Sequence, residues 1–281
     1  MSNNSEMQPL QDNQIVDEVR RASQKPIDYD PERYLCERMN EAVGNKTGYD
    51  CPVCKNKGVI YRLDESGNIV ARPCKCLAMR KARKYMEQSG LGTLLDRCTL
   101  DSYIAKEAWQ EKAKKTAEEF ISCGENWLYV GGQVGSGKTH LCVAVTREFL
   151  QRGVKSLYVL WLTEAQRLRT AVNDDVYSKI MQRLTTVPVL YIDDFLKVQN
   201  GEYQHSSKPV PTPSEIKLAF DLVNQRYNNP RLITIFSSEH MLDEVSAMDS
   251  GLASRIYERC GGNRFVLEIE RSESRNMRYA V

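Results

Sequence analysis

Residues 131–140 read GGQVGSGKTH, four glycines and a lysine within ten positions. From Gly132 to Thr139, through Gln133, Val134, Gly135, Ser136, Gly137 and Lys138, every fixed position of the pattern G-x-x-x-x-G-K-[ST] is met, and His140 follows. Glycines let successive backbone N–H groups curl around phosphate oxygens, and a helix starting near the lysine turns the positive end of its dipole toward the same anion. Lys138 is then placed to reach the β- and γ-phosphates of a nucleotide, and Thr139 to coordinate Mg²⁺. A flexible linker would not need the apolar NWLYV before it or the amphipathic LCVAVTREFLQ after it.

A phosphate cradle does not say whether the nucleotide is hydrolysed, transferred or sensed. VLYIDD ends an apolar run on Asp193 and Asp194, and a strand of a parallel sheet delivers such a pair to its carboxyl edge, where ligands bind. Asp193 is expected to hold Mg²⁺ and Asp194 to polarise an attacking water; a helix cap or solvated turn is the plain alternative. LITIFSSEH closes another apolar run on Ser237 and Ser238. If that strand lies between the first and third, either serine sits between the γ-phosphate and water; otherwise the pair is a turn or cap. Phosphoryl chemistry of this kind also calls for an arginine against the transferring group. Arg255, Arg259, Arg275 and Arg278 are the candidates, and spacing alone does not rank them.

A second chemistry is carried by cysteine. Of nine cysteines, Cys51 and Cys54 in CPVC and Cys74 and Cys76 in CKC bracket RLDESGNIV, a stretch that turns at Ser66-Gly67-Asn68. Two thiolate pairs at the ends of a small hairpin close a tetrahedral Zn²⁺ site, which replaces the core that so short a segment cannot build. The second pair is C-x-C rather than C-x-x-C, which leaves Cys36 as a substitute ligand. Cys98, Cys123, Cys142 and Cys260 have no such partners and read as packing residues; the separated His140, His205 and His240 make no metal triad.

These residues need elements to hold them. Five short apolar runs, NWLYVGG, SLYVLWL, PVLYIDD, LITIFSS and RFVLEIE, alternate with the helical segments TREFLQRG, TEAQRLRTAV and PSEIKLAFDLVNQRY. That alternation specifies an α/β fold, a five-stranded parallel sheet with helices on both faces. Ahead of it lie a polar, acidic segment over residues 1–48, with a helix at PERYLCERMNEAV, and a cysteine module over 49–90, ending in the basic helix LAMRKARKYMEQ and a Ser89-Gly90 stop. The sheet domain takes 91–281. The loop KVQNGEYQHSSKPVPTP, with three prolines, is too long for a simple connection.

Composition sets the limits. The 281 residues carry a formal charge of +2, but residues 1–50 hold ten acids against six bases, while 55–86 hold nine bases against Asp64 and Glu65. The absence of a long apolar run or a signal-like start makes a cytoplasmic protein the expectation, and in that compartment clustered cysteines hold metal rather than disulfides.

Taken together, the four cysteines before a basic helix, then GGQVGSGKTHL, VLYIDDF, VNQRYNNP, IFSSEH and SRIYERC, resemble the bacterial and phage replicative helicase loaders of the DnaC/DnaI type, members of the AAA+ ATPases, over residues 49–281. The resemblance implies an AAA+ core that binds and slowly hydrolyses ATP, grips single-stranded DNA, assembles with copies of itself when ATP-bound, and places a hexameric replicative helicase. It matches Arg255 to the arginine finger, Arg278 to the second sensor with Arg275 in reserve, Ser237 or Ser238 to the first sensor, and the acidic segment to a helicase-docking region. Asp194 departs from the glutamate common in AAA+ proteins, which is why slow hydrolysis is expected. For DNA contact it points to Trp161, Arg167 and Arg169, against a core tryptophan and a solvated helix face. Competing readings are a transposition-helper ATPase of the IstB kind, a P-loop small-molecule kinase whose lid would offer only Lys197 and Lys208, and a DNA-binding adaptor that uses nucleotide as structural glue.

Overall fold

The computed structural model of the chain describes residues 30–88, 92–171, 174–198 and 210–279. The acidic segment before residue 30, the Ser89-Gly90 stop, and His205 and Lys208 of the long loop lie outside the described residues. Two compact units are present, one running up to Cys74 and the other from Lys75 onward.

In the smaller unit, α1 (Pro31–Glu41) is capped by Asp30, whose carboxylate accepts the Arg33 amide at 3.1 Å, and Pro31 occupies the first turn, where no N–H is needed. Strands β1 (Val59–Leu63) and β2 (Ile69–Pro73) pair antiparallel, with Leu63 opposite Ile69. Their turn closes because the Asp64 carboxylate accepts the amides of Ser66 and Asn68 at 2.9 and 2.8 Å. Asn40 of α1 joins helix to hairpin as a neighbouring strand would: its side chain accepts the Tyr61 N–H at 3.0 Å and donates to the Tyr61 carbonyl at 2.8 Å.

The larger unit opens with α2 (Cys76–Gln88), α3 (Gly92–Arg97) and α4 (Ala108–Cys123). Strand and helix then alternate through β3 (Leu128–Gly132), α5 (Lys138–Gln151), β4 (Ser156–Leu160), α6 (Trp161–Arg169), α7 (Asp174–Thr186), β5 (Val189–Asp193), α8 (Pro213–Tyr227), β6 (Ile233–Ser237), α9 (Leu242–Met248), α10 (Ser250–Arg259) and β7 (Val266–Ile269). The five strands form one parallel sheet in the order β4-β5-β6-β3-β7, so β6 lies between β3 and β5, as the serine argument requires.

The sheet departs from expectation at one end. Trp161 and Leu162, expected to prolong the second strand, begin α6 instead. The reason is register: Leu160 is opposite Asp193, the last residue of β5, so a longer β4 would have no partner. Helices α4, α7, α9 and α10 add to the three anticipated around the sheet.

The core meets on β6 and the turn after β5. Phe195 and Phe236 pack at a tilt of 57° with ring centroids 4.9 Å apart, and Trp127 lies 5.8 Å from Phe236 while its indole donates to the Leu232 carbonyl at 2.8 Å. A fully buried guanidinium, Arg226, pins the opposite end of the sheet. It donates to the carbonyls of Leu184, Val187 and Ile233 at 2.6, 3.0 and 2.7 Å and to the Thr234 hydroxyl at 2.9 Å. Among the described residues no helix is long and apolar enough to cross a membrane.

Candidate nucleotide site

The loop after β3 owes its path to glycine. Gly132 and Gly135 take φ of 103° and 74°, in the left-handed region, and neither has room for a Cβ: at Gly132 it would strike the Ile269 backbone, at Gly135 the Asn276 side chain. Helix α5 then starts at Lys138, so a helix N-terminus stands at the end of the loop. Lys138 is 8% exposed and its ammonium donates to the carbonyls of Gly132 and Gln133 at 3.0 and 2.6 Å. Burial pushes its pKa down to about 8, against the opposing pull of the Glu239 and Asp194 carboxylates.

Neighbouring segments brace the loop. The Ser136 hydroxyl donates to the Gln133 carbonyl at 2.8 Å, the Ser272 amide donates to the Gln133 side chain at 3.0 Å, and the Met277 amide to the Gly135 carbonyl at 3.0 Å. Val134 is exposed at the tip. His140 Nε2 lies 3.1 Å from the Thr99 carbonyl oxygen, and its ring stands edge-on to Tyr103 at 5.5 Å.

Asp193 is the polar centre of the sheet edge. Thr139 donates to its Oδ1 at 3.2 Å and Tyr191 at 2.7 Å, Ser237 also donates to Oδ1, and Tyr158 donates to Oδ2 at 3.3 Å. Burial is the first cause that pushes both phenols upward, followed by Asp193 at Tyr158 and by Cys142 and then Asp193 at Tyr191, so they remain protonated donors. Asp194 faces a different environment. Its backbone takes φ of 50°, its N–H donates to Ser237 Oγ at 3.2 Å, and its part-exposed carboxylate pairs with Lys197 at 3.1 Å. The two serines separate: Ser237 touches Asp193, whereas the Ser238 hydroxyl donates to the Phe195 carbonyl at 2.7 Å and accepts the His240 amide.

The arginines are divided among three tasks. Arg255 on α10 donates to Asn224 Oδ1 at 3.0 Å and to the Gly251 carbonyl at 2.8 Å, with its guanidinium 4.8 Å from the Phe220 ring centroid. Those partners belong to α8 and α10. Arg259 donates to the carbonyls of Pro230 and Leu232, both at 3.0 Å, and lies over Trp127, which gives it a framework role. Arg275 pairs with Glu270 at 2.8 Å, and Arg278 is exposed, two residues beyond the Asn276 that crowds Gly135.

One expectation is corrected. Trp161 is 2% exposed and packs edge-on against Phe195 at 5.2 Å, so its ring is core and offers no face to a base. Arg167 and Arg169 are more exposed, though paired with Glu164 and Glu215 at 3.4 Å each. Arg167 also lines, with Lys155 and Arg183, a cavity of about 700 Å³ beside β4.

The thiols of Cys51, Cys54, Cys74 and Cys76 are all buried, and their sulfurs lie within 4.8 Å of one another. The Cys51 and Cys74 sulfurs are 3.8 Å apart. A tetrahedral ion with Zn–S bonds of about 2.3 Å sets its sulfurs about 3.8 Å from one another. The CPVC turn is shaped for it: Lys55, Asn56 and Gly58 take positive φ, and the Gly58 N–H donates to Cys54 Sγ at 3.3 Å. These residues fit zinc, and the ion would supply cross-linking rather than chemistry. Cys36 stands outside the set, so C-x-C serves as the second pair.

A family model described as IstB-like ATP binding protein matches residues 61–279. The chain belongs to that family. Phage-like element PBSX protein XkdC of Bacillus subtilis (strain 168) is 29% identical to it over 259 residues, covering 88% of this chain and 89% of that one. A crystal structure of a DNA replication initiation factor superposes with TM-score 0.51 at 21% identity, over 65% of this chain and 52% of that one, a likeness of fold. A crystal structure of DnaI gives 0.47 at 21% identity, over 66% and 92%. The family is one of ATP-binding proteins, and the loop after β3 lies within the matched residues.

Four residues of this polar sheet edge were not assigned to it from the sequence. Tyr191 had a signal, since it stands two residues before Asp193 and so on the same strand face. Tyr158 had none, because it reaches Asp193 only through the register of β4 on β5. Lys197 and Glu239 meet at 2.8 Å from the ends of different strands, a pairing that no local pattern encodes.

Proposed function

We propose that the chain is a replicative helicase loader: it binds Mg²⁺-ATP at residues 132–139, hydrolyses it slowly, engages single-stranded DNA, assembles with further copies when ATP-bound and delivers a hexameric helicase. In this reading Lys138 holds the phosphates, Thr139 and Asp193 hold Mg²⁺, and Asp194 polarises the attacking water. Ser237 reports the γ-phosphate through its contact with Asp193 and Asp194. Ser238 is assigned to shaping the strand tip. Arg255 reaches a neighbouring protomer's nucleotide, and Arg278 acts in the chain's own site, with Arg275 in reserve.

The observation that carries this reading is the pairing of a buried four-cysteine cluster with an ATP-binding sheet of order β4-β5-β6-β3-β7 downstream of it. The cysteine module favours a loader over an IstB-like transposition helper, which the family model keeps as the second reading. A kinase lid is disfavoured because Lys197, one of the two cations available to it, is already held by Asp194 and Glu239.

Purification of the tagged chain from its native host with ATP or ADP present tests the choice. A ring-shaped replicative helicase retained with ATP supports the loader; a transposase moves the assignment to the second reading. ATP turnover that single-stranded DNA leaves unchanged, with neither partner retained, refutes both.

A further inference from the structure

Lys197 stands at the phosphate site without a part in the reading above. Its ammonium lies 3.1 Å from Asp194 Oδ2 and 2.8 Å from Glu239 Oε1, so it ties the tip of β5 to the tip of β6. The backbone builds this placement. Asp194 and Leu196 take φ of 50° and 63°, a region that costs a residue with a Cβ about 1–2 kcal/mol. The turn is held there by its anchors: Phe195 and Leu196 are fully buried, the Phe195 N–H donates to the Ser237 carbonyl at 2.8 Å, and the Lys197 N–H to the Asp194 carbonyl at 3.0 Å. Strain kept by so many constraints marks a position that serves the site.

The charges around it form one field. Glu239 and Asp194 favour the Lys138 ammonium, and Lys197 opposes it, so both lysines and both acids lie within electrostatic reach of one another. With Asp193 added, a triphosphate arriving at the loop approaches three carboxylates. Lys138 alone does not balance them.

We propose that Lys197 is a positioning residue of the ATP site, whose ammonium, shared between Asp194 and Glu239, offsets the carboxylate charge that opposes an incoming triphosphate. This rests on the nucleotide assignment above. It gives the two partners of one ion pair opposite effects on the ligand, because one attracts the phosphates and the other repels them. A bridge that only stiffened the turn would give them the same effect.

The experiment is calorimetric titration of Mg²⁺-ATP and Mg²⁺-ADP into the full chain and its Lys197→Met, Lys197→Arg and Glu239→Gln variants, at low and high salt, with melting curves to confirm folding. Lys197→Met is expected to weaken ATP binding about three- to tenfold, and ADP binding less, as the terminal phosphate carries the interaction. Glu239→Gln is expected to tighten ATP binding by a similar factor, Lys197→Arg to stay within about twofold of wild type, and the differences to shrink as salt screens them. Should Lys197→Met fail to fold, the tightening in Glu239→Gln and its salt dependence carry the test. Wild-type affinity accompanied by changes of the same sign in both charge-removing variants, or by no change in either, overturns the role of Lys197 alone. A wild-type chain that binds neither nucleotide overturns the nucleotide assignment and this proposal together.

Discussion

Nucleotide binding by this chain should become coupled to proton uptake above about pH 8, and Lys138 is the reason. Its ammonium is buried, and burial brings its pKa down to about 8 from the ordinary lysine range of about 10.4. A base whose folded pKa lies below its unfolded one is a cost to the fold while charged. Here that cost is roughly 3 kcal/mol at neutral pH, and it is relieved as pH rises from about 8 to about 10. A triphosphate restores the lysine's preference for its charged form, so binding must draw a proton wherever the free site has lost one. At about pH 7 the free lysine is charged and affinity is at its limit; at about pH 9 only about a tenth is charged, which weakens binding about elevenfold, or about 1.4 kcal/mol. The terminal phosphate, with a second ionisation near pH 6, is fully charged across this window and does not mask the effect. Titration calorimetry in buffers of differing ionisation enthalpy reads the proton directly: about half a proton taken up per ATP at about pH 8, and about nine-tenths at about pH 9. Affinity that is flat across the window, with no proton taken up at its upper end, refutes the argument that Lys138 is buried at an anion site.

The cysteine cluster predicts a single zinc per chain by metal analysis, lost in Cys51→Ser with melting of the β1–β2 hairpin, as followed by amide exchange. Arg226→Met leaves buried carbonyls at Leu184, Val187 and Ile233 without their donor; a loss of about 3–5 kcal/mol in urea unfolding is expected, with zinc retained. Arg255→Ala should leave ATP affinity unchanged and lower turnover at least tenfold in the assembled state, measured by phosphate release at rising protein concentration.

What could be read in advance follows the range of the signal. The phosphate loop and α8 were legible to the residue because their causes are local. Glycine dihedrals make the first; the second is opened by Thr212, whose hydroxyl accepts the Glu215 amide while Glu215 accepts the Thr212 amide at 2.9 Å. The four cysteines were legible from clustering alone, and the five strands from short apolar runs. Helix α7 was missed although its signal is local: in DDVYSKIMQRLTT, Val176, Tyr177, Ile180, Met181 and Leu184 recur at helical spacing, and Met181 and Leu184 are buried. Trp161 was misjudged for a different reason: its burial depends on Phe195, which lies more than thirty residues away. Asn224 could not be linked to Arg255 without the packing of α8 on α10.

The hydroxyls around Asp193 explain why two tyrosines stand at this edge of the sheet. An ionised carboxylate has about four lone-pair positions, and Thr139, Tyr158, Tyr191 and Ser237 direct their hydroxyls at its two oxygens. A divalent ion held by Thr139 and Asp193 would take the place of the first of these and would leave the other three hydroxyls as donors to the carboxylate. Donors of that kind fix a carboxylate's orientation and tune its charge. Because the phenols' protons are held by burial and by Asp193 itself, the carboxylate keeps this support throughout the neutral range. Ser237 is in a different position, since its oxygen also accepts the Asp194 N–H. If a divalent ion is held at Asp193, its pull on that carboxylate would be felt at the backbone of Asp194, across a chain of two hydrogen bonds. The adjacency of the two aspartates thus matters less than the serine on β6 that links them, and a sheet order placing β6 beside β5 is what makes the link possible.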